Sequence, residues 1–135
     1  MEKLLVDTNI ILDLLAKREG FYKDAQLLFT LADQKKVVLF ISALSVANVN
    51  YILTKVHGKD AARKILIQFK VLVEVLSFDD KITELALASD FIDLEDAIQY
   101  YTALENGMNI IITRNKKDFK NSALPVLTAG EYISK

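Results

Sequence analysis

Short apolar runs alternate along the chain with longer stretches in which apolar residues recur at helical spacing. A continuous run of apolar and β-branched residues predicts a strand that is buried on both faces, and such burial is typical of a parallel sheet. The runs lie at 3–7, 37–41, 71–76 and 109–113, with a short edge strand at 125–127. The sequence therefore predicts four or five strands that are spread over the whole chain.

Helices are predicted between these strands because apolar residues lie three and four positions apart there. We expect Thr8 or Asn9 to cap the first helix and Ser42 to cap the third. A capping box at 128–131 predicts a final turn of helix. The other predicted helices span roughly 21–35, 43–56, 59–70, a segment that begins with a capping box at 77–80 and runs through 89, and 94–106.

Strands that alternate with helices predict an α/β fold with three layers, α/β/α. A central, mostly parallel sheet of four to five strands would be flanked by helices through right-handed crossovers, as in Rossmann-like folds. The chain contains no internal repeat, low-complexity tract or linker. We therefore interpret residues 1–135 as a single domain.

The balance of charge limits how this protein could bind a nucleic acid. The chain carries 17 Lys and Arg residues against 18 Asp and Glu residues. Binding to RNA or DNA would therefore need a local cationic patch or metal ions rather than bulk positive charge. The one histidine, His57, precedes Gly58 at a predicted helix end, so we give it no catalytic role.

The composition also excludes several kinds of site. The chain has no cysteine, which rules out disulfides, thiolate metal sites and cysteine nucleophiles. No apolar run is long enough to span a bilayer, and the first residues lack the pattern of a signal peptide. We expect no membrane association and a cytoplasmic location.

Acidic and amide side chains recur where the predicted sheet should have its carboxyl edge. Strands one and four are neighbours in the simplest doubly wound order, and the helix that leads into strand four begins at the same edge. The residues concerned are Asp7 after strand one, Asp93, Glu95 and Asp96 at the start of helix 94–106, and Asn115 and Asp118 after strand four. Each group alone is better explained by helix capping or turn formation. Together the acids would repel one another, which raises a pKa or requires a cation, and oxygen ligands without histidine or cysteine favour Mg²⁺ or Mn²⁺.

Four motifs in this order are similar to those of a known family. They are LVDTN at 5–9, ISALS at 41–45, EDAIQ at 95–99 and ITRNKKDF at 112–119. On these motifs the chain resembles the PIN-domain superfamily, in particular its small, single-domain VapC-like toxins. The resemblance covers nearly the whole chain and implies a PIN-like α/β/α fold.

The resemblance implies a metal-dependent endoribonuclease that hydrolyses RNA phosphodiester bonds. Such proteins are commonly the toxin of a bacterial type II toxin–antitoxin pair, so an antitoxin protein and a homodimer are the implied partners. Carried over by position, Asp7, Asp96 and Asp118 are the catalytic metal ligands, with Asn115 as an alternative to Asp118. The implied supporting residues are Thr8 and Thr113, which would orient the carboxylates, and the adjacent Asn9, Asp93, Glu95 and Asn115.

The chain departs from the family pattern at Asn48. The family usually has a glutamate about there, in the third helix, and Asn50 is a weaker match to that position. An amide offers a carbonyl oxygen to a metal, but it carries no charge and cannot act as a base, so the loss of the acid should weaken metal binding. In one interpretation Asn48 belongs to a site with altered metal dependence. In the other it is a buried amide that bonds to neighbouring backbone and has no catalytic part.

Local cations beside the predicted site would have to make the contacts with RNA. Four basic residues follow strand four closely, and we expect them to hold a phosphate backbone. They are Arg114, Lys116, Lys117 and Lys120. One of Tyr100 and Tyr101 would line the cleft, where it could stack a base, while core packing explains the other.

Two alternative functions follow from the same residues. A binding module for RNA or protein would keep the fold but cleave weakly or not at all, because Asn48 replaces an acid. A nucleotide-binding domain of flavodoxin-like type would need a glycine-rich phosphate loop after strand one. Residues 7–10, DTNI, contain no glycine, so we rank this function last.

Overall fold

A five-stranded parallel sheet runs through the centre of the computed structural model, which describes residues 1–135. Its strands lie in the order β3-β2-β1-β4-β5, and every neighbouring pair is parallel. Their bounds are β1 (Lys3–Val6), β2 (Val38–Ser42), β3 (Val73–Leu76), β4 (Ile110–Ile112) and β5 (Val126–Leu127). The first strand is central, so the prediction that strands one and four are neighbours is confirmed.

Helices cover both faces of the sheet. Consecutive residues of a strand point to opposite faces, and both faces are apolar here. Leu4 and Val6 belong to the larger core, whereas Leu5 joins Ile111 and Phe119 in a second core on the other face. The helices are α1 (Thr8–Leu15), α2 (Tyr22–Asp33), α3 (Ala43–His57), α4 (Lys59–Phe69), α5 (Asp80–Leu87), α6 (Leu94–Glu105) and α7 (Ala129–Ile133). The predicted three-layer α/β/α fold is confirmed.

Two helix caps differ from the prediction because a carboxylate takes the capping position. The N-cap of α1 is Asp7, whose Oδ1 accepts from the Thr8 N–H at 2.8 Å, so neither Thr8 nor Asn9 is the cap. The N-cap of α5 is Asp79, whose Oδ1 accepts from the Ile82 N–H at 3.0 Å, and the predicted capping box at 77–80 is wrong. In both cases the aspartate has the extended backbone conformation of an N-cap residue.

One predicted strand also begins later than expected. Residues Lys70–Leu72 form a turn of 3₁₀ helix, and β3 begins only at Val73. The side chain of Val71 is 84% exposed, so its apolar character does not reflect burial in the sheet. A second 3₁₀ turn spans Lys116–Phe119, directly after β4.

Other helix ends are as predicted. Ser42 caps α3 by accepting from the Leu44 N–H, and α3 ends at His57. Gly58 follows with a φ of +88°, a left-handed conformation that favours glycine, and it separates α3 from α4. The capping box of Thr128 and Glu131 at α7 is confirmed. None of the helices is long and apolar enough to cross a membrane.

Candidate active site

Asp7 lies at the carboxyl end of the central strand, and the protein holds both of its carboxylate oxygens. Oδ1 accepts from the Thr8 N–H at 2.8 Å, and Oδ2 accepts from the Thr113 hydroxyl at 2.9 Å. Asp7 is only 7% exposed. Its own N–H donates to the Ile112 carbonyl at 3.0 Å, so the end of β4 lies directly beside it. The carboxylate is therefore fixed at the point where the two central strands end.

The start of α6 brings further acids to this edge. Asp93 is the N-cap, and its Oδ1 accepts from the N–H groups of Glu95 at 2.8 Å and Asp96 at 3.2 Å. This is the capping role that the sequence offered as the alternative for this cluster. Asp96 is half-buried and lines the cleft described below. Asp93 therefore fixes the start of the helix from which Asp96 reaches the site.

Asp118 reaches the same edge from the 3₁₀ turn after β4. Its N–H donates to the Asn115 carbonyl at 3.0 Å, and the Asn115 N–H donates to the Thr113 hydroxyl at 3.2 Å. Thr113 therefore contacts both Asp7 and the turn that carries Asp118. Asn115 contributes to this turn through its backbone N–H and carbonyl.

The acids are close enough to perturb one another. Burial raises the pKa of Asp96 to about 7, and the charges of Asp93, Asp7, Asp118 and Glu95 add to this effect. Burial also raises the pKa of Asp7, against the opposing effect of its hydrogen bonds from Thr113 and Thr8. A bound cation would reverse these shifts, because it favours the charged carboxylates.

Asn48 bonds to an acid on the facing helix. Its Nδ2 donates to Glu95 Oε1 at 2.8 Å, which joins α3 to α6. The interpretation in which Asn48 bonds to neighbouring backbone is therefore not what the structure shows. The charge of Glu95 acts on both Asp7 and Asp96, so a carboxylate from α6 lies near the place where an acid on α3 was expected.

A buried polar network that sequence reasoning missed lies behind the acids. The hydroxyls of Thr8 and Ser45 are 2.8 Å apart, and Gln99 Nε2 donates to Ser45 Oγ at 2.8 Å. All three side chains are buried, and they join α1, α3 and α6. Two features of the sequence could have indicated these residues. Ser45 and Gln99 both lie inside the motifs quoted above, and Gln99 follows Asp96 by about one helical turn. The side chain of Thr8 thus bonds to Ser45 and Gln99, while its backbone N–H bonds to Asp7.

An open cleft of about 710 Å³ borders the acids. Asp96 and Asp118 lie on its walls together with Lys117 and Lys120. Tyr100 and Tyr101 also line it. Tyr100 is 7% exposed, and its hydroxyl accepts from the Ala123 N–H, whereas Tyr101 is half-buried.

Three other residues that were predicted at the site contact partners outside the acidic cluster. Lys116 Nζ lies 2.8 Å from Glu131 Oε2, and Arg114 Nε lies 3.2 Å from Asp13 Oδ2. Asn9 Oδ1 accepts from Arg18 Nη1 at 3.0 Å. Of the four predicted RNA-binding cations, Lys117 and Lys120 are the two that line the cleft.

The donor chemistry of the cluster fits a hard divalent cation, because every acidic ligand is a carboxylate oxygen. Burial and the charges of the neighbouring acids raise the pKa of Asp96 to about 7, and a nearby cation would favour its charged form. However, no three His, Cys, Asp or Glu side chains are grouped so that they could hold a metal ion as they stand. A cation would have to draw the carboxylates together.

Comparison with known proteins identifies the family. A family model described as PIN domain matches residues 3–117. The chain belongs to the PIN-domain family. Ribonuclease VapC1 of Aquifex aeolicus (strain VF5) is 30% identical to this PIN domain over 139 residues, which cover 99% of this chain and 95% of the relative.

Solved structures share the fold of this PIN domain. A toxin–antitoxin complex from Klebsiella pneumoniae contains a chain with 26% identity and a TM-score of 0.68, with 93% of this chain and 97% of that chain covered. VapBC-1 from nontypeable Haemophilus influenzae gives a TM-score of 0.72 at 18% identity, with 95% and 98% covered. The second likeness concerns the fold alone.

The raised pKa of Asp96 predicts a specific pH dependence of stability for the metal-free protein. Between the ordinary pKa of 3.8 and the folded pKa of about 7, the folded state holds a proton on Asp96 that the unfolded chain has lost. Stability therefore falls as the pH rises through this window. A one-unit pKa difference corresponds to about 1.4 kcal/mol, and solvent screening reduces the effect at a half-buried group. We therefore expect ionisation of Asp96 to lower the free energy of unfolding by about 1–2 kcal/mol across this window.

Urea unfolding in EDTA at both ends of this window measures the effect. Asp96→Asn should lose less stability than the wild type as the pH rises. Asp60→Asn, which changes an exposed carboxylate in the first turn of α4, should behave like the wild type. The explanation is wrong if Asp96→Asn and the wild type depend equally on pH.

Proposed function

We propose that this protein is a divalent-metal-dependent endoribonuclease and the toxin of a bacterial type II toxin–antitoxin pair. One observation carries the proposal: Asp7, Asp96 and Asp118 come from three separate elements to one edge of a PIN-domain sheet. The full-length similarity to a VapC ribonuclease supports RNA as the substrate. PIN-domain nucleases of this type generally depend on a divalent metal ion.

In this proposal Asp7, Asp96 and Asp118 hold the metal, which is Mg²⁺ or Mn²⁺ because the donors are hard oxygens. When bound, such an ion supplies an activated water and positive charge next to the phosphate. Thr113 and the backbone N–H of Thr8 fix the direction of the Asp7 carboxylate. Asp93 positions Asp96 through the cap of α6.

Glu95 supplies the acid that the third helix lacks. Asn48 holds its carboxylate through the 2.8 Å hydrogen bond from Nδ2. The negative charge acts on Asp7 and Asp96, as a glutamate on α3 would be expected to do. In this assignment Asn48 is a positioning residue and the metal site keeps its full complement of carboxylates.

The cleft receives the RNA. Lys117 and Lys120 line its wall together with Asp118, where they would contact the phosphate backbone. Lys116 and Arg114 are engaged with acids of this chain, so they contribute less. Tyr101, which is half-buried in the cleft wall, is the better placed of the two tyrosines to stack a base.

An antitoxin is the expected protein partner. Toxin–antitoxin complexes are among the solved structures with this fold, which supports such a partner. A homodimer and a cytoplasmic location are further parts of the proposal. The alternative, an RNA- or protein-binding module without nuclease activity, draws support from Asn48 and from the lack of a preformed metal cage.

Loss of the proposed ligands should abolish cleavage. Loss of a group that hydrogen-bonds to a metal ligand typically lowers metal affinity or activity by about 10- to 100-fold. Loss of a ligand itself should have a larger effect, so we expect Asp7→Asn or Asp96→Asn to lower the rate of RNA cleavage by about 100-fold or more. The assay uses purified protein, a structured RNA and Mg²⁺ or Mn²⁺, with EDTA as the metal-free reference. Asp60→Asn is the control for charge loss and should cleave at the wild-type rate.

The binding-module alternative makes the opposite prediction for the same assay. In that case the wild type and both variants would bind RNA without cleaving it. Equal cleavage by the wild type and the variants would show a contaminating nuclease and would also contradict the proposed function.

Exchanging the amide on α3 with the acid on α6 tests whether Glu95 belongs to the metal site. We expect Glu95→Gln to weaken Mn²⁺ binding and cleavage by about tenfold or more, because it removes a carboxylate from the cluster. Adding Asn48→Glu to this variant returns a carboxylate to the pair and keeps a hydrogen bond between the two side chains, so affinity should recover. Calorimetric titration with Mn²⁺ measures the effect. Glu95 has no part in the site if Glu95→Gln binds Mn²⁺ as the wild type does.

A further inference from the structure

A buried carboxylate that takes no part in the acidic cluster lies on the inner side of α1. Asp13 is 1% exposed and follows Asp7 by six residues, or about 9 Å along the helix axis. Asp13 lies within the apolar run of residues 10–15. A buried charge is costly unless cations accompany it, so the partners of Asp13 are informative.

Two arginines accompany Asp13. Arg114 Nε lies 3.2 Å from Asp13 Oδ2, and Arg18 Nη1 lies 3.9 Å from Oδ1. On its other side, the guanidinium of Arg114 lies over the ring of Phe21, 4.0 Å from the ring centre. Asp13 Oδ1 and Arg114 Nε are buried and make no hydrogen bond, so Asp13 is held by ion pairing alone, and Arg18 is the only other cation that pairs with it.

The place of Arg114 in the chain connects this ion pair to the acidic cluster. Arg114 follows Thr113, whose hydroxyl donates to Asp7, and precedes Asn115, whose N–H donates to the same hydroxyl. The 3₁₀ turn that carries Asp118 begins immediately afterwards. Two consecutive residues, Thr113 and Arg114, therefore bind two carboxylates, one at each end of α1.

We propose that Arg114 is a positioning residue that fixes the turn between β4 and Asp118 against α1, with Asp13 as its anchor. The inference rests on the proposed function, because it explains how the acids of that site are held. It assigns Arg114 a role inside the protein in place of the RNA contact expected from the sequence. An RNA phosphate that bound Arg114 would have to displace Asp13 and leave a buried carboxylate with only the more distant Arg18.

Amide hydrogen exchange in the metal-free protein tests the inference without reference to catalysis. We expect Arg114→Gln and Asp13→Asn each to speed exchange at residues 113–118 by about tenfold or more, because the first leaves the buried Asp13 carboxylate with only the more distant Arg18 and the second removes the anchor of Arg114. The double variant should exchange no faster than the faster single variant, since both changes break the same interaction. Arg114→Lys keeps the charge but not the planar contact with Phe21, so its exchange rate should lie between those of the wild type and Arg114→Gln. If Arg114→Gln does not fold, Arg114→Lys takes its place in the comparison.

Cleavage kinetics separate positioning from RNA contact. A positioning role predicts that Arg114→Gln lowers kcat while KM and its salt dependence stay at wild-type values. An RNA contact predicts a higher KM and a weaker salt dependence. Lys64→Gln, which removes an exposed charge on α4, should match the wild type in both kinetics and exchange.

The two proposals fail in different ways. A rise in KM at constant kcat, or unchanged exchange at 113–118 in both single variants, would overturn the role assigned to Arg114. A wild-type protein that cleaves no RNA would overturn the proposed function, and the exchange comparison would still decide whether Arg114 positions the turn.

Discussion

The hydrogen bond from Thr113 to Asp7 joins the ends of the two central strands, and the geometry of the candidate site depends on it. It fixes one oxygen of a carboxylate that is almost fully buried, while the first N–H of α1 fixes the other. The same threonine hydroxyl accepts from the backbone N–H of Asn115, at the start of the turn that carries Asp118. One side chain thus sets the relation between a strand, a helix and a turn.

Repulsion among the gathered acids gives the site its chemical character. The pKa of Asp96 near 7 reflects burial and the charges of its neighbours, so the folded protein pays for this arrangement in stability when no cation is present. Acids in a cleft whose pKa values are strongly perturbed by burial and by one another are typical of functional sites. Here the perturbed acids border an open cleft with two lysines on its wall, which fits a site for a negatively charged polymer.

Much of this organisation could be predicted because the apolar pattern and the chain order determine it. The runs at 3–7 and 109–113 are apolar enough to be central strands, and their adjacency follows from the doubly wound order. The chain order therefore predicts that Asp7 and Asp118 lie at one edge of the sheet. The capping role of Asp7 was missed because Thr8 and Asn9 are also good caps, and only the backbone conformation at residue 7, with φ −69° and ψ 154°, distinguishes them.

The remaining features depend on side-chain contacts between distant parts of the chain. The sequence contains no signal that Asn48 would reach Glu95, 47 residues away, or that Arg114 would turn towards Asp13 rather than towards the cleft. A basic residue next to an acidic site favours a nucleic-acid contact when only the sequence is known. The buried acid on α1 changes that interpretation, because Asp13 interrupts an otherwise apolar helix face and requires a cation.

The central claim is that the acids at the carboxyl edge form one metal site. A crystal structure with Mn²⁺, read by its anomalous scattering, tests it most directly. We expect one strong peak in the cleft, within about 2.0–2.4 Å of carboxylate oxygens of Asp7 and Asp96 and of at least one of Glu95 and Asp118. A map in which Mn²⁺ is absent from the cleft, or lies away from Asp7 and Asp96, would contradict it.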